Sequence, residues 1–315
     1  MAEKVKVATR DAYGKALVRL GVIHPNLVVL DADLSKSTKT AEFAKVFPER
    51  FFQVGIAEQN LMGTAAGLAL AGKIPFASTF AVFATGRAFD QIRNSIAYTG
   101  LPVRIAATHA GISVGEDGGS HQSIEDVALM RVLPQMTVIV PADARETEKA
   151  VEALLTWEGP AYLRLGRLAV PTVYEEDCPF TIGEAVQLRE GSAATIIANG
   201  LMVSEALQAA ELLAQEGQLV RVINMHTVKP LDKAAVIKAA RETGAIVTAE
   251  EHSIIGGLGS AVAEVLVEEY PVPMRRVGVP DCFGESGEPR QLLEKYGLTA
   301  RHLAEAVREV IKRKG

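Results

Sequence analysis

One glutamate in this sequence stands where a carboxylate could do proton chemistry. Glu58 follows a turn at Gly55 and heads a run of small residues, 61–72, with helical character. A carboxylate at the start of a helix is stabilised by the helix dipole, by about 0.3–1 kcal/mol. A carboxylate held in a fixed position can also accept or donate a proton. Glu58 is therefore a candidate proton-transfer residue.

A second set of polar residues lies in the segment 108–122. Four glycines separate His109 from His121, and Asp117 lies between the two histidines. Glycines give the backbone the freedom to bring these three side chains toward one ligand. Long loops inside compact domains usually carry function, and a solvated surface loop is the alternative.

Short apolar runs alternate with helical patterns and would position these residues. Strands are predicted at 27–30, 103–107, 137–140, 161–165, 194–198, 219–223 and 245–248, and helices at 10–20, 57–71, 87–97, 145–155, 204–215, 233–243 and 260–269. This alternation predicts an α/β fold with mainly parallel sheets covered on both faces. Residues 166–183 lack periodicity and divide the chain into two doubly wound domains, 1–178 and 179–315. Ligands of such sheets bind beyond the carboxyl ends of the strands.

Composition excludes several classes of function. The net charge of −5 and the pI near 5.8 give no support for nucleic-acid or membrane binding. No apolar run reaches the length of a membrane span, and the first residues alternate in charge, so a cytoplasmic location is expected. The two cysteines, Cys178 and Cys282, are far apart and predict neither a disulfide framework nor a zinc site.

Three motifs, in this order along the chain, resemble those of transketolases, which use thiamine diphosphate. They are Gly55 with Glu58, Thr79-Phe80 with Phe83, and His109 followed by Gly115-Glu116-Asp117-Gly118 and His121. The resemblance extends over nearly the whole chain, as the pyrimidine-binding and C-terminal domains of that family. It therefore implies a ketol transfer between sugar phosphates.

The resemblance also implies roles for residues near the cofactor. Glu58 would be the catalytic acid that shares a proton with a pyrimidine nitrogen, Phe80 and Phe83 would clasp the ring, and Asp33 would lie near it. Many family members have a third aromatic residue three positions after the second Phe, where this chain has Gly86. Either the aromatic cage is incomplete or another side chain closes it.

By the same resemblance, four residues would bind the phosphate end of the sugar: Arg10, Ser37, His109 and Arg167. Arginine suits this role because its planar fork makes paired, charged hydrogen bonds to phosphate oxygens. Asp117 and His121 would contact the sugar hydroxyls and the donor carbonyl, and His121 would act in catalysis. Taken alone, each of these residues is an ordinary surface charge or cap.

The sequence lacks the Gly-Asp-Gly motif with which the family holds magnesium and the diphosphate. The resemblance therefore implies no metal ligand in this chain. It implies the C-terminal subunit of a split transketolase, in which an N-terminal subunit supplies Mg²⁺ and diphosphate binding, most simply as an α2β2 assembly.

Three alternatives share this domain pair. 1-Deoxyxylulose-5-phosphate synthase is usually one long chain. A 2-oxoacid dehydrogenase β subunit would serve lipoamide, whereas the 109–121 loop with Arg10 and Arg167 favours a phosphorylated sugar. A non-catalytic regulatory homologue is disfavoured by the presence of Glu58 and Phe80. His252 and the glycine-rich turn 256–259 follow in the second domain, where tight packing is expected rather than catalysis.

Overall fold

The structure is a computed structural model that describes residues 5–174 and 178–314. Within these ranges no helix is long and apolar enough to cross a membrane. The first half contains β1 (Lys6–Ala8), α1 (Thr9–Ile23), β2 (Leu27–Asp31), α2 (Ser35–Thr38), α3 (Ala41–Val46), β3 (Phe51–Gln53), α4 (Glu58–Leu70), β4 (Ile74–Phe80), α5 (Phe89–Gln91), β5 (Arg104–Thr108), α6 (Asp126–Val132), β6 (Thr137–Ile139), α7 (Ala144–Leu154), β7 (Ala161–Arg164) and β8 (Ala169–Pro171). The second half contains β9 (Val186–Arg189), β10 (Ala194–Ala198), α8 (Met202–Gln215), β11 (Val220–Asn224), β12 (Thr227–Lys229), α9 (Lys233–Thr243), β13 (Ile246–Ser253), α10 (Leu258–Glu269), β14 (Met274–Val279), α11 (Pro289–Lys295) and α12 (Ala300–Lys312).

A seven-stranded sheet forms the centre of the first half, in the order β12-β6-β7-β5-β4-β2-β3. Its strands are parallel except β12, an edge strand that comes from the second half of the chain. Successive residues of β2 serve opposite layers, since Val29 packs toward α1 and α7, and Leu30 packs toward α4 and α6. Burial on both faces explains why this strand is apolar at four successive positions.

A five-stranded sheet forms the centre of the second half, in the order β14-β13-β10-β11-β9. All neighbours are parallel except the edge strand β9. α8 and α12 cover one face through residues such as Met202 and Val307, while α9 and α10 cover the other through Val236 and Val262. The prediction of an α/β fold with two mainly parallel sheets is thus confirmed.

Several elements differ from the sequence-based expectations. β4 was not among the predicted strands, although it pairs with both β2 and β5 in the middle of the sheet. Residues 87–97 do not form one helix, because π-helical turns at Phe83–Arg87 and Ile92–Ala97 flank the short α5. In the predicted irregular connector, β8 pairs with β1. The acidic positions 175–177 lie outside the described residues, and the domain division at 178 stays a prediction.

Candidate active site

The predicted site residues collect at one edge of the first sheet. Asp33 and Ser37 follow β2, Glu58 follows β3, Phe80 ends β4, His109 follows β5, and Arg167 follows β7. These strands are neighbours in the sheet and, being parallel, end at the same edge. Residues spread over more than 130 positions of sequence therefore lie in one region, as expected for ligand sites of parallel sheets.

Glu58 is the first residue of α4, and its side chain is nearly buried, with 6% exposed. Its Oε1 accepts a hydrogen bond from Arg87 Nη1 at 3.0 Å, across 29 positions of sequence. The Arg87 guanidinium also lies over the ring of Phe83, with Cζ 4.0 Å from the ring centroid. Arg87 was not among the predicted site residues. Its side chain connects the Glu58 carboxylate to the ring of Phe83.

Four rings form a continuous aromatic group at this edge. Phe80 and Phe83 lie with their planes 15° apart and their centroids separated by 5.7 Å. The ring of His109 stacks on Phe80 at 3.8 Å, and the ring of His121 meets Phe83 edge-on at 5.3 Å. The structure thus brings the Phe-x-x-Phe motif and both predicted histidines into direct contact.

Arg10 connects this aromatic group to the loop after β2. Its Nη1 donates to the Ser37 carbonyl at 3.1 Å and to His109 Nε2 at 2.9 Å. Burial, aided by the charges of Arg10 and Arg167, lowers the pKa of His109 to about 3, so this ring is neutral. Because Nε2 accepts from an arginine, Nδ1 carries the proton and donates to Thr108 Oγ1 at 2.9 Å.

The loop 109–122 carries the last two predicted residues, Asp117 and His121. Arg167 Nη1 donates to the Val114 carbonyl at 2.8 Å and contacts an Asp117 carboxylate oxygen at 3.4 Å. Ser120 Oγ lies 2.9 Å from Nδ1 of His121, and the His121 side chain is half-buried. Arg10 and Arg167 therefore place two guanidinium groups near the neutral His109, and Arg167 also lies 3.8 Å from a Glu116 carboxylate oxygen.

The second half of the chain fixes the conformation of this loop. Ser113 N donates to Glu251 Oε1 at 2.6 Å, and Gln122 Nε2 donates to the Glu285 carbonyl at 2.9 Å. Glycine is required at 118, where φ is +74°, and at 119, where a Cβ would lie 2.7 Å from the carbonyl oxygen of Gly284. The loop glycines thus permit close packing against 284–289 as well as the turns that the sequence predicts.

Asp33 stands apart from this group. It is exposed, has a positive φ of 65°, and its amide donates to Gln53 Oε1 at 2.6 Å. Among the described residues, no hydrogen bond, ion pair or ring contact joins Asp33 to Glu58 or to the Phe rings. The buried carboxylate of this loop is Asp31, which accepts from Leu34 N, Thr38 Oγ1 and Thr40 Oγ1 and so shapes the turn.

Several other polar residues outside this group have structural partners. Arg104 donates to three backbone carbonyls, and Arg164 forms a buried pair with Asp126 at 2.7 Å. His252 Nε2 accepts from Ala128 N at 3.3 Å, and Nδ1 lies 2.8 Å from the Ser253 carbonyl. At the glycine-rich turn, the Glu250 carboxylate accepts from Leu258 N and Gly259 N at the start of α10. His252 and the glycine-rich turn are thus held by backbone and carboxylate contacts.

Within the described ranges, no group of three or more His, Cys, Asp or Glu side chains is arranged to hold a metal ion. Gly86 faces open space, with nothing within 4 Å of the position of a Cβ. One residue further on, the guanidinium of Arg87 lies over the Phe83 ring.

Comparison with known proteins gives this geometry a family. A putative transketolase C-terminal section from Methanocaldococcus jannaschii is 49% identical over 96% of each chain. The 6-deoxy-6-sulfo-D-fructose transketolase subunit SqwH of Clostridium sp. is 48% identical over 97% of this chain and 95% of that one. A solved structure described as "split gene transketolase, inactive beta4 tetramer" is 61% identical, with a TM-score of 0.92 over 98% of this chain and 100% of that one.

The domain profiles agree with these similarities. The transketolase pyrimidine-binding domain matches residues 5–172, which contain every residue of the site described above, and the transketolase C-terminal domain matches residues 183–303. Because both profiles match in the order found in that family, and the similar proteins align from end to end, the chain belongs to the transketolase family of transferases.

Proposed function

We propose that this chain is the small subunit of a thiamine-diphosphate-dependent transketolase. It transfers a two-carbon ketol unit from a ketose phosphate to an aldose phosphate, together with an N-terminal subunit that binds the diphosphate. The observation that carries this proposal is the unbroken series of contacts from Glu58 through Arg87, Phe83, Phe80 and His109 to Arg10. One end of this series suits an aminopyrimidine, and the other suits an anion.

The residues present fit the pyrimidine half of the cofactor. A nearly buried carboxyl can hold a proton against a ring nitrogen, and two roughly parallel Phe rings offer an apolar surface to a flat heterocycle. Thiamine diphosphate supplies the carbon nucleophile that breaks and forms the carbon–carbon bonds. Glu58 controls the protonation of the ring, while Phe80 and Phe83 orient it.

The remaining residues bind the sugar. Arg10 and Arg167 attract the phosphate, Ser37 positions it, and the neutral His109 acts at this end by orienting the Arg10 guanidinium through Nε2. Asp117 and His121, on the loop held by the second half, orient the hydroxyls and the donor carbonyl. Neutral His109 adds no charge of its own, so the two arginines account for the attraction of the anion. Asp33, on the exposed turn after β2, lies near the cofactor ring.

A partner subunit completes the site. The sequence has no Gly-Asp-Gly motif, so we assign Mg²⁺ and the diphosphate to the partner, in an α2β2 assembly. Two similar proteins support a divided enzyme, since one is named a subunit and another is described as a split-gene transketolase that is inactive as a β4 tetramer. By this proposal the chain is inactive alone.

Calorimetry tests the shared site. Thiamine diphosphate and Mg²⁺ are titrated into this chain, into the polypeptide that carries the Gly-Asp-Gly motif, and into their mixture. We expect tight binding in the mixture and none by this chain, and light scattering should give the mass of a 2:2 assembly. Tight binding by this chain alone would overturn the divided site.

Activity then tests the chemistry. In the mixture, Glu58→Gln should reduce ketol transfer by about a hundredfold or more, the usual contribution of a general acid or base. The exposed Glu49→Gln is the matched control and should behave as wild type. Near-normal turnover by Glu58→Gln would remove Glu58 from the mechanism. If the mixture turns over 6-deoxy-6-sulfo-D-fructose but no ketose phosphate, the substrate is a sugar sulfonate and not a sugar phosphate. The proposed ketol transfer would still stand.

A further inference from the structure

Arg87 occupies the two surfaces that the proposed function assigns to the pyrimidine ring. Its Nη1 pairs with Glu58 Oε1 at 3.0 Å, and its Cζ lies 4.0 Å from the centroid of the Phe83 ring. The first contact uses the carboxylate that would hold the ring nitrogen. The second covers a face of the ring on which the pyrimidine would stack.

An arginine and an aminopyrimidine make competing demands on the same groups. A guanidinium requires an ionised carboxylate and only donates hydrogen bonds. Proton sharing with a ring nitrogen requires the carboxyl to carry a proton for part of the cycle. Both flat groups stack on an aromatic face, so one of them excludes the other from the face of Phe83 that Arg87 covers.

We propose that Arg87 acts as a latch. Its guanidinium occupies the Glu58 carboxylate and one face of the Phe83 ring, and it is displaced when the cofactor enters the assembled site. This inference rests on the proposed function. Arg87 is a positioning residue, since it acts through Glu58 and not on the substrate.

The surroundings of Arg87 allow such a displacement. Its side chain is 51% exposed, and the adjoining Gly86 has open space on its side-chain face. The pair with Glu58 and the stacking on Phe83 are the side-chain contacts observed for Arg87 in the described residues. A half-exposed ion pair is weak, so the latch lowers cofactor affinity without blocking the site.

Calorimetry of the reconstituted assembly tests the latch, with thiamine diphosphate and Mg²⁺ as the titrants. Arg87→Ala should bind the cofactor about fivefold more tightly than wild type, which corresponds to ~1 kcal/mol. Arg87→Lys keeps the charge and should stay closer to wild type. Arg93→Ala is the matched control, because Arg93 is also exposed and donates to Asn94 Oδ1 instead of Glu58.

The outcomes separate this inference from the proposed function. If wild type binds the cofactor and Arg87→Ala binds it equally or more weakly, Arg87 is not a latch, while the proposed function stands. If no assembly binds the cofactor, the proposed function fails and the latch fails with it. A structure of the loaded assembly offers a check without activity, and an Arg87 that still pairs with Glu58 there would overturn the latch.

Discussion

Replacing Glu251 by glutamine should make the free energy of unfolding depend less on pH. Glu251 is buried beneath the active-site loop, where one carboxylate oxygen accepts from Ser113 N at 2.6 Å. Burial raises its pKa from the ordinary 4.5 to about 7, although the charge of Arg164 opposes this rise. Glutamine has the same shape and can still accept the Ser113 hydrogen bond, but it cannot ionise.

The sign follows from the two pKa values of Glu251. Below 4.5 the carboxyl is protonated in both states, and the folded chain has its full stability. Between 4.5 and about 7 the unfolded chain ionises first, so the free energy of unfolding falls as the pH rises through the folded pKa. At 1.36 kcal/mol for each pKa unit, wild type should lose ~2.5 kcal/mol relative to Glu251→Gln between pH 5 and pH 8.

Thermal melting of the isolated chain at pH 5 and pH 8 measures this difference. A change of ~2.5 kcal/mol corresponds to roughly 5–10 °C in Tm for a domain of this size. Glu146, whose pKa burial also raises to about 7, titrates in both proteins and cancels in the comparison. The exposed Glu268→Gln serves as control. If Glu251→Gln and wild type show the same change of Tm with pH, Glu251 is ionised in the folded chain and the reasoning is wrong.

Three further changes have expected outcomes. Asp126→Ala leaves Arg164 buried without its carboxylate and should lower the free energy of unfolding by ~3–5 kcal/mol in urea titrations, whereas a loss below ~1 kcal/mol would contradict a tightly paired site. Gly118 has a φ of +74°, so Gly118→Ala should lower the free energy of unfolding by ~1–3 kcal/mol in thermal melts. Gly67 is exposed in a helix, so Gly67→Ala should raise it by ~0.5–1 kcal/mol. Equal effects of the two changes would refute the loop geometry. Arg10→Gln in the assembly should raise the KM for the sugar phosphate by about tenfold or more with little change in kcat, and a loss in kcat alone would argue against phosphate binding.

Sequence patterns predict the central strands that are apolar without interruption. Prediction fails where a strand contains a proline or where a helical pattern forms π-helical turns. β4 contains Pro75, which suggests a break, yet this proline is the second residue of the strand and pairs in register with Val28. Near a strand start a missing N–H costs little, so the strand forms. Residues 87–97 have a helical pattern, but the π-helical turns that the structure has there are not encoded in hydrophobic periodicity.

The site is predicted where the chemistry is local and missed where it depends on tertiary contacts. Phe80 and Phe83 are three residues apart, and the edge of a parallel sheet brings His109 and Arg167 to the same region. The Arg87–Glu58 pair joins positions 29 apart, and Glu251 reaches Ser113 across 138. Neither pair has a signature in the sequence, because the pattern that singles out Glu58 does not point to Arg87, and nothing local links Glu251 to Ser113.

The contacts of the loop 109–122 give the second half of the chain a part in the site. Glu251 and the Glu285 carbonyl bind the loop backbone and Gln122, and residues 284–289 pack where its glycines leave no room for a side chain. The loop carries Asp117 and His121, and the other half supplies acceptors to Ser113 N and to the Gln122 amide nitrogen. A buried backbone donor without a partner costs about 1–3 kcal/mol, so packing of the two halves stabilises the conformation of the loop at Ser113. The C-terminal half therefore helps to shape the candidate site through the loop that carries Asp117 and His121.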